Sequence, residues 1–304
     1  MRYFQIVKSA LDALLAGICA HKGLSGVQAL NMVAGHLRTM SKEWFSGEAP
    51  NIAYGDPLCR FAYLYSHTAV NANLCEVGLR SLPAVGPHIL ERLNTIGELR
   101  VCAFGGGPGT ELLALSKFLT GKKGLGQLQP HVEVNFTLLD YVPEWAESWN
   151  ALESAIKRDF LATFGHKRDW PFSISKSFQP FDMTKVEQYA NLVQLFEHDL
   201  YVLNYVLSEI FSDHAAFAAL FNQMAGHAPS GAQFVIIDRK QDHVVQWARE
   251  LLAGSGLVES GYLETSTNMD YDEQKAVLDD YQKYITLHPR ITWNGAFCIS
   301  GTKP

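Results

Sequence analysis

The stretch VCAFGGGPGTELLAL, residues Val101–Leu115, is where this chain first shows residues that can do chemistry. An apolar run breaks into Gly105, Gly106, Gly107, Pro108 and Gly109, then resumes as ELLAL at helical spacing. That pattern reads as a strand, a tight turn and a helix start. Glycines in such a turn let the backbone take positive φ and let a ligand come close. The free N–H groups at the following helix N-terminus suit an anionic or polar ligand. Two carboxylates follow at comparable places. Asp140, with Tyr141 after it, closes the run VEVNFTLLD, and an acid there can accept from both hydroxyls of a ribose. Asp182 and Met183 lie in FQPFDMT, where an acid can accept from an exocyclic amine and a backbone N–H can donate to a ring nitrogen. A fourth run, LYVLNYVLSEIF, brings Asn204, Tyr205, Ser208 and Glu209 toward the same mouth.

These residues need a scaffold that ends each strand at one edge. From Leu99 onward strands and helices alternate. Strands are predicted over Arg100–Phe104, Val132–Leu139, Phe172–Phe178, Leu200–Leu207 and Gln233–Asp238, with helices over Thr110–Leu119, Glu144–Phe164, Lys185–Glu197, His214–Ala225 and Val244–Ala253. Alternation with apolar strands argues for an α/β fold, a parallel sheet covered on both faces. Leu257–Thr265 and Ile291–Ser300 read as two more strands, split by a polar insertion with a helix near Asp272–Tyr284. Without a full crossover between them, they are expected as an antiparallel pair at the sheet edge. Ligands of such sheets sit at the carboxyl ends of the strands, near the switch in strand order. Residues 1–98 are instead read as helical. Phe4–Cys19 and Val27–Met40 carry helical periodicity, and Ser41–Pro50 breaks it. A helix starting at Asp56-Pro57 runs to near Pro83, and another covers Gly86–Thr95.

In this order the residues resemble class I S-adenosylmethionine-dependent methyltransferases, and the resemblance covers Leu99 to Pro304. GGGPGT matches the family's glycine motif, LLDY its ribose-binding acid and FDMT its adenine-contacting acid. The resemblance implies a Rossmann-like, seven-stranded, mostly parallel sheet with an antiparallel last strand. It implies S-adenosylmethionine as cofactor, contacted by Gly105, Gly107, Gly109, Asp140, Tyr141, Asp182 and Met183, with Asn204 flanking the methyl donor. One departure stands out: the acid that in the family helps hold the cofactor's amino group is Ala103 here. Glu111, just after the turn, or a polar group from the N-terminal helices is the expected substitute. Residues 1–98 are expected to form a helical lid and substrate region, and residues 99–304 the cofactor-binding domain.

The expected reaction is methyl transfer to an oxygen or nitrogen of a small molecule or protein side chain. The alternative, motivated by Ala103, is a non-catalytic binding or assembly protein that keeps the fold. The Asp/Asn-Pro-Pro-aromatic motif of enzymes that methylate base or amide nitrogens is replaced by Asn204-Tyr205-Val206-Leu207, and no cysteine follows a proline as cytosine C5 chemistry commonly requires. The dinucleotide pattern needs Gly or Ala where Thr110 stands, and no Gly-Lys-Ser/Thr follows the turn. GKKGLGQ, further on, reads as a solvated loop. Candidates for a catalytic role are Glu209, His67 and Tyr65, each with a structural reading beside it. Asp140 and Asp182 taken singly are equally well read as helix caps, and Ser212 or Asp213 as the cap of the helix after the fourth strand. Trp145 and Trp149 read as packing.

The remaining features are bounds. The 304 residues are 47% apolar and 18% charged, as expected of a globular chain with a sizeable core. A net charge of −6 disfavours a nucleic-acid surface. The five cysteines are scattered, with no CxxC, and are read as reduced thiols. Scattered histidines show no metal-ligand spacing, so no metal is expected. No run is read as reaching the ~20 apolar residues that cross a bilayer. A cytoplasmic location is expected, with a mitochondrial or nuclear address left open.

Overall fold

The computed structural model of the chain describes residues 2–44, 52–121, 128, 132–164, 172–185 and 197–304. The chain opens with helices. α1 (Tyr3–Lys22) stops at Gly23, whose φ of 64° lets its N–H reach back to the Cys19 carbonyl. α2 (Gly26–Trp44) starts on a capping box: Gln28 N–H donates to Ser25 Oγ and the Gln28 side chain accepts from Ser25 N–H. α3 (Pro57–Tyr63) begins with proline at its first position and Asp56 accepting from Leu58 N–H. It continues through a π turn, Leu64–Thr68, into α4 (Ala69–Ser81), and α5 (Val85–Thr95) leads to the sheet. The helix predicted as continuous to Pro83 is therefore one rod with a π turn inside it.

The strands are β1 (Glu98–Phe104), β2 (Val132–Asp140), β3 (Phe172–Pro180), β4 (Leu200–Asn204), β5 (Gln233–Arg239), β6 (Val258–Asn268) and β7 (Thr292–Thr302). Their order is β3-β2-β1-β4-β5-β7-β6. β1 to β5 pair in parallel, and β7 runs antiparallel to both β5 and β6. This is the Rossmann-like α/β sheet with six parallel strands and a reversed last one. β7 does not lie at the rim: it inserts between β5 and β6. The chain leaves β1 toward β3, then crosses back to β4, so the order switches between β1 and β4. Between strands lie α6 (Thr110–Thr120), α7 (Trp145–Phe164), α8 (His214–His227), α9 (Asp242–Gly254) and α10 (Tyr271–Gln282). The predicted helix over 185–197 falls on residues 186–196, outside the described residues, as do residues 122–127 of the GKKGLGQ loop.

Two predicted boundaries fail for local reasons. β4 ends at Asn204 rather than Leu207, because Tyr205 takes a φ of 61° and leaves the strand. It is the only non-glycine residue with positive φ among the described residues. Asp213 stands at the N-cap position of α8, but its carboxylate accepts from Ser212 Oγ instead of capping the helix.

Strand alternation divides the core between two faces. Leu99, Val101 and Ala103 join a cluster with the N-terminal helices, α6 and α7, whereas Cys102 and Phe104 join another with α8 and α9. Burying a side chain of this size contributes roughly 1.5–3 kcal/mol, so the helical region and one face of the sheet stand or fall together. By length and composition α1 alone among the described helices could cross a membrane, against the reading that no run is apolar enough. Here it buries Tyr3, Phe4, Ile6, Val7, Ala10, Leu11 and Ile18 in the shared core. The five cysteines form no disulfide.

Candidate functional site

The glycine turn occupies the switch point, at the carboxyl end of β1. Gly105 has a φ of 56°, and a Cβ there would come within 3.0 Å of Val206 Cγ2 and 3.5 Å of Met183 Cε. Gly109, at the N-cap of α6, has a φ of 86°, and a Cβ would lie 2.8 Å from Trp149 Cδ1. Both positions therefore need glycine for conformation and for space.

Asp140 ties β2 to this turn. One carboxylate oxygen accepts from Gly107 N–H and the other from Val142 N–H, each at 3.0 Å. Burial pushes its carboxyl up to about 6, with these N–H groups opposing. A carboxylate has about four lone-pair sites, so capacity remains for a ligand's hydroxyls. Tyr141, exposed beside it, and Met183, buried, face the same small cavity of about 80 Å³. Asp182 does not line that cavity: Oδ1 accepts from the N–H (2.9 Å) and hydroxyl (2.6 Å) of Thr184, a local turn. The helix that Asp182 would cap falls on residues outside the described ones.

Glu111 and Asn204 meet behind the turn, where Asn204 Nδ2 donates to Glu111 Oε1 at 3.0 Å. Both residues are buried, and Glu111 Oε2 and Asn204 Oδ1 are left without partners. Neither residue lines the small cavity, and two buried acceptors without a donor form an unusual arrangement, because unmade hydrogen bonds of buried polar groups cost about 1–3 kcal/mol each. Burial pushes the Glu111 carboxyl up to about 7, and the charge of Asp140 adds to the shift. Ala103, fully buried between Leu138 and Val202, offers no polar group.

Three rings close over the turn. Tyr54, Tyr63 and Trp145 lie mutually 5.3–5.7 Å apart by centroid. Buried Arg60 fixes this cap by donating to the Tyr54 and Gly55 carbonyls and to Glu147 of α7, each at 2.9 Å. Trp145, read from sequence as packing alone, is both packing and a wall of the small cavity.

A second cavity, of about 490 Å³, adjoins the first, and Tyr63 and Glu209 line both. Tyr63, His67 and Asn71 present one face of the α3–α4 rod to it. Tyr65 does not: it is buried in the core beside Tyr281. At ~100° per residue it lies roughly 200° around the rod from Tyr63, so the sequence-based placement of Tyr65 at the site is corrected. His67 stacks on Tyr63 and meets Trp44 edge-on. Ser66 Oγ donates to the Ala62 carbonyl, so it accepts from His67 Nδ1 and leaves Nε2 as the ring's acceptor. Burial, then Arg290 and Arg239, push His67 down to about 3, so the ring is neutral at pH 7. Glu209 is exposed to both cavities yet enclosed by the protein around them. That enclosure first, and Asp238 second, push its carboxyl up to about 7, with Arg239 pulling against them.

Sequence reasoning missed Asn71, Arg239, Arg290 and Trp293 on this cavity. Spacing at i, i+4 and i+8 from Tyr63 signals Asn71, and the end of the fifth strand signals Arg239. Among the described residues no cluster could hold a metal ion.

A family model described as "Putative SAM-dependent methyltransferase" matches residues 65–244, more than half of the chain. No curated protein matches it. Among solved structures, the chain is similar to an O-methyltransferase family protein from Burkholderia thailandensis, at 12% identity and a TM-score of 0.48, covering 91% of this chain and 71% of that one. It is also similar to N-methyltransferase NodS from Bradyrhizobium japonicum in complex with S-adenosylhomocysteine, at 13% identity and a TM-score of 0.36, covering 74% and 90%. A third similar structure is a SAM-dependent methyltransferase from Methanosarcina mazei, at 11% identity and a TM-score of 0.38, covering 68% and 93%.

Proposed function

The chain belongs to this SAM-dependent methyltransferase family, with S-adenosylmethionine as its cofactor, and on that premise we propose that it methylates an oxygen or nitrogen of a small molecule or protein side chain. The observation that carries the reading is the junction of the two cavities at Tyr63 and Glu209. A donor pocket built on the glycine turn and an acceptor pocket walled by the N-terminal helices share those two side chains. Positioning donor and acceptor in line is most of what a direct displacement asks of a protein.

The residues present fit the cofactor. Glu111 Oε2 and Asn204 Oδ1, buried without donors, are complementary to an ammonium group, and they replace the acid missing at Ala103. The spare lone pairs of Asp140 suit the ribose hydroxyls, with Gly105, Gly107 and Gly109 giving the backbone its close approach. The closed cavity, about 80 Å³, is below the ~300 Å³ of common ligand sites. Tyr54, Tyr63 and Trp145 therefore have to part on binding, and their reclosure excludes water. Bound there, S-adenosylmethionine supplies an electrophilic methyl group on a sulfonium. Glu209, with its raised carboxyl, is suited to take the proton that the acceptor's oxygen or nitrogen loses. His67 Nε2 is placed to accept a hydrogen bond from the acceptor and orient it.

Titration calorimetry with S-adenosylmethionine and S-adenosylhomocysteine tests the reading. Wild type should bind both, and Gly107→Arg neither. No binding by wild type at millimolar concentration would overturn the enzyme reading. Retained binding in Gly107→Arg would overturn the placement of the site.

A further inference from the structure

The chain carries a net charge of −6, but the larger cavity has the opposite character. Arg239, Lys240 and Arg290 line it, and Glu209 is the only acid on its described wall. Lys240 is already occupied by Glu264. Neither Arg239 nor Arg290 has a carboxylate partner among the described residues, whereas Arg60, Arg80, Arg92, Arg100 and Arg249 each have one. Arg239 Nε is buried and makes no hydrogen bond. Asp238, the acid nearest in sequence, turns away: it is fully buried and accepts from the N–H groups of Ser208 and Arg239.

Arg290 and Arg239 line the same cavity. Burial first, then Arg239, lower the pKa of Arg290. Both also act on His67. Glu209, on which Arg239 acts, is one acid facing two guanidinium groups, so other contacts must help hold them there. Arg290 is held by Trp293, 4.1 Å beneath it, and Trp293 in turn meets Tyr205 edge-on at 4.6 Å. Tyr205, strained at positive φ, keeps a buried hydroxyl without a partner on the same wall, and Asn71 Oδ1 is likewise unpaired. Strained backbone of this kind persists where surrounding structure enforces it and clusters at binding sites.

We propose that Arg239 and Arg290 form an oxyanion clamp, and that the methyl acceptor is a small molecule carrying a carboxylate or phosphate group. Planar guanidinium forks suit either group, each by paired N–H···O bonds. The Tyr205 hydroxyl donates to the same anion. With the anion fixed there, the rest of the acceptor extends toward Glu209 and Tyr63, where the two cavities join. The word acceptor rests on the proposed transferase function; the anion site itself does not.

The full chain, with and without S-adenosylhomocysteine, is titrated with phenyl phosphate and with benzoate, which separates the two anion classes. At least one probe is expected to bind wild type with millimolar affinity. Arg239→Gln and Arg290→Gln should each weaken it roughly 10- to 100-fold, Arg→Lys at either position should weaken it less, and Lys283→Gln, outside the cavity and paired with Asp279, should leave it unchanged. Near-UV circular dichroism and retained S-adenosylhomocysteine binding confirm that each variant is folded. Binding of neither probe to wild type at ~10 mM, or binding indifferent to both arginines, would overturn the clamp. Failure of S-adenosylhomocysteine to bind wild type, with the probes still bound through the arginines, would overturn the transferase function and leave the anion site standing.

Discussion

Glu111→Gln separates the charge of this side chain from its shape. The carboxyl rises from an ordinary 4.5 to about 7 in the folded chain. A difference of that size is worth ~3 kcal/mol at 1.36 kcal/mol per unit. The folded state holds the proton more tightly than the unfolded state. The contribution of this group to stability is therefore full below about 4.5, falls as pH rises toward about 7, and levels off above it. Glutamine carries no charge and still accepts from Asn204 Nδ2. Without cofactor, Glu111→Gln should match wild type at acid pH and exceed it at alkaline pH by up to ~3 kcal/mol. With S-adenosylmethionine the order should invert. An ammonium group favours the ionised carboxylate, and loss of a charged hydrogen bond worth about 1.5–3 kcal/mol lowers affinity roughly 10- to 150-fold. Urea unfolding on either side of the transition, with and without S-adenosylmethionine, reads both effects. A variant no more stable than wild type at alkaline pH, or one that binds the cofactor equally well, would refute the role of this carboxylate.

Three other substitutions test other parts of the site. Asp140→Asn leaves one oxygen for the two N–H groups of Gly107 and Val142, so cofactor affinity measured by calorimetry should fall roughly 10-fold or more. Gly109→Ala adds a clash with Trp149 to its positive φ and should cost about 2–5 kcal/mol, whereas Gly97→Ala, with φ 80° and open space, should cost only ~1–2 kcal/mol; thermal melts of the pair give the difference. Tyr205→Phe removes a buried hydroxyl without a partner and should raise the melting temperature of the free chain by the equivalent of about 1 kcal/mol, while weakening phenyl phosphate or benzoate binding.

Burial made much of the fold readable. β1 and β5 lie inside the sheet and are nearly continuous apolar runs, whereas β2 and the edge strand β3 read by alternation of apolar and polar residues; the ends of all four fall within two residues of the predicted ones. Where burial continues but conformation changes, the apolar pattern misleads. Tyr205, Val206 and Leu207 are all buried and extend the run of β4, yet Tyr205 turns out of the strand to donate its N–H to Ile237. The same conformation excludes proline at this position, since proline holds φ near −65°. The π turn at Leu64–Thr68 was hidden for a similar reason: it contains neither glycine nor proline, and the residues on both sides are apolar. Insertion of β7 between β5 and β6 is a choice of partner across the sheet, which hydrophobic periodicity does not encode.

Strand ends explain which half of the site was legible. The glycine turn and Asp140 are each read from one short segment, because a turn residue and a strand-terminal acid carry their local geometry with them. The larger cavity draws instead on segments around residues 44, 63–71, 205–209, 239–241 and 290–295, and periodicity alone does not bring these together. Two partial signals were nevertheless present. Tyr63, His67 and Asn71 repeat at helical spacing, which separates them from Tyr65. Asp238 and Arg239 end β5 as Asp140 ends β2. Applying to β5 the rule used for the other strands points to an acid followed by a cation. The structure assigns them opposite directions: the acid is spent inward on Ser208 and Arg239 N–H groups, and the guanidinium is left facing the cavity. A strand-end acid that satisfies backbone donors frees its neighbouring cation for a ligand, so the charge sign of this pocket is set by where Asp238 points as much as by Arg239 itself.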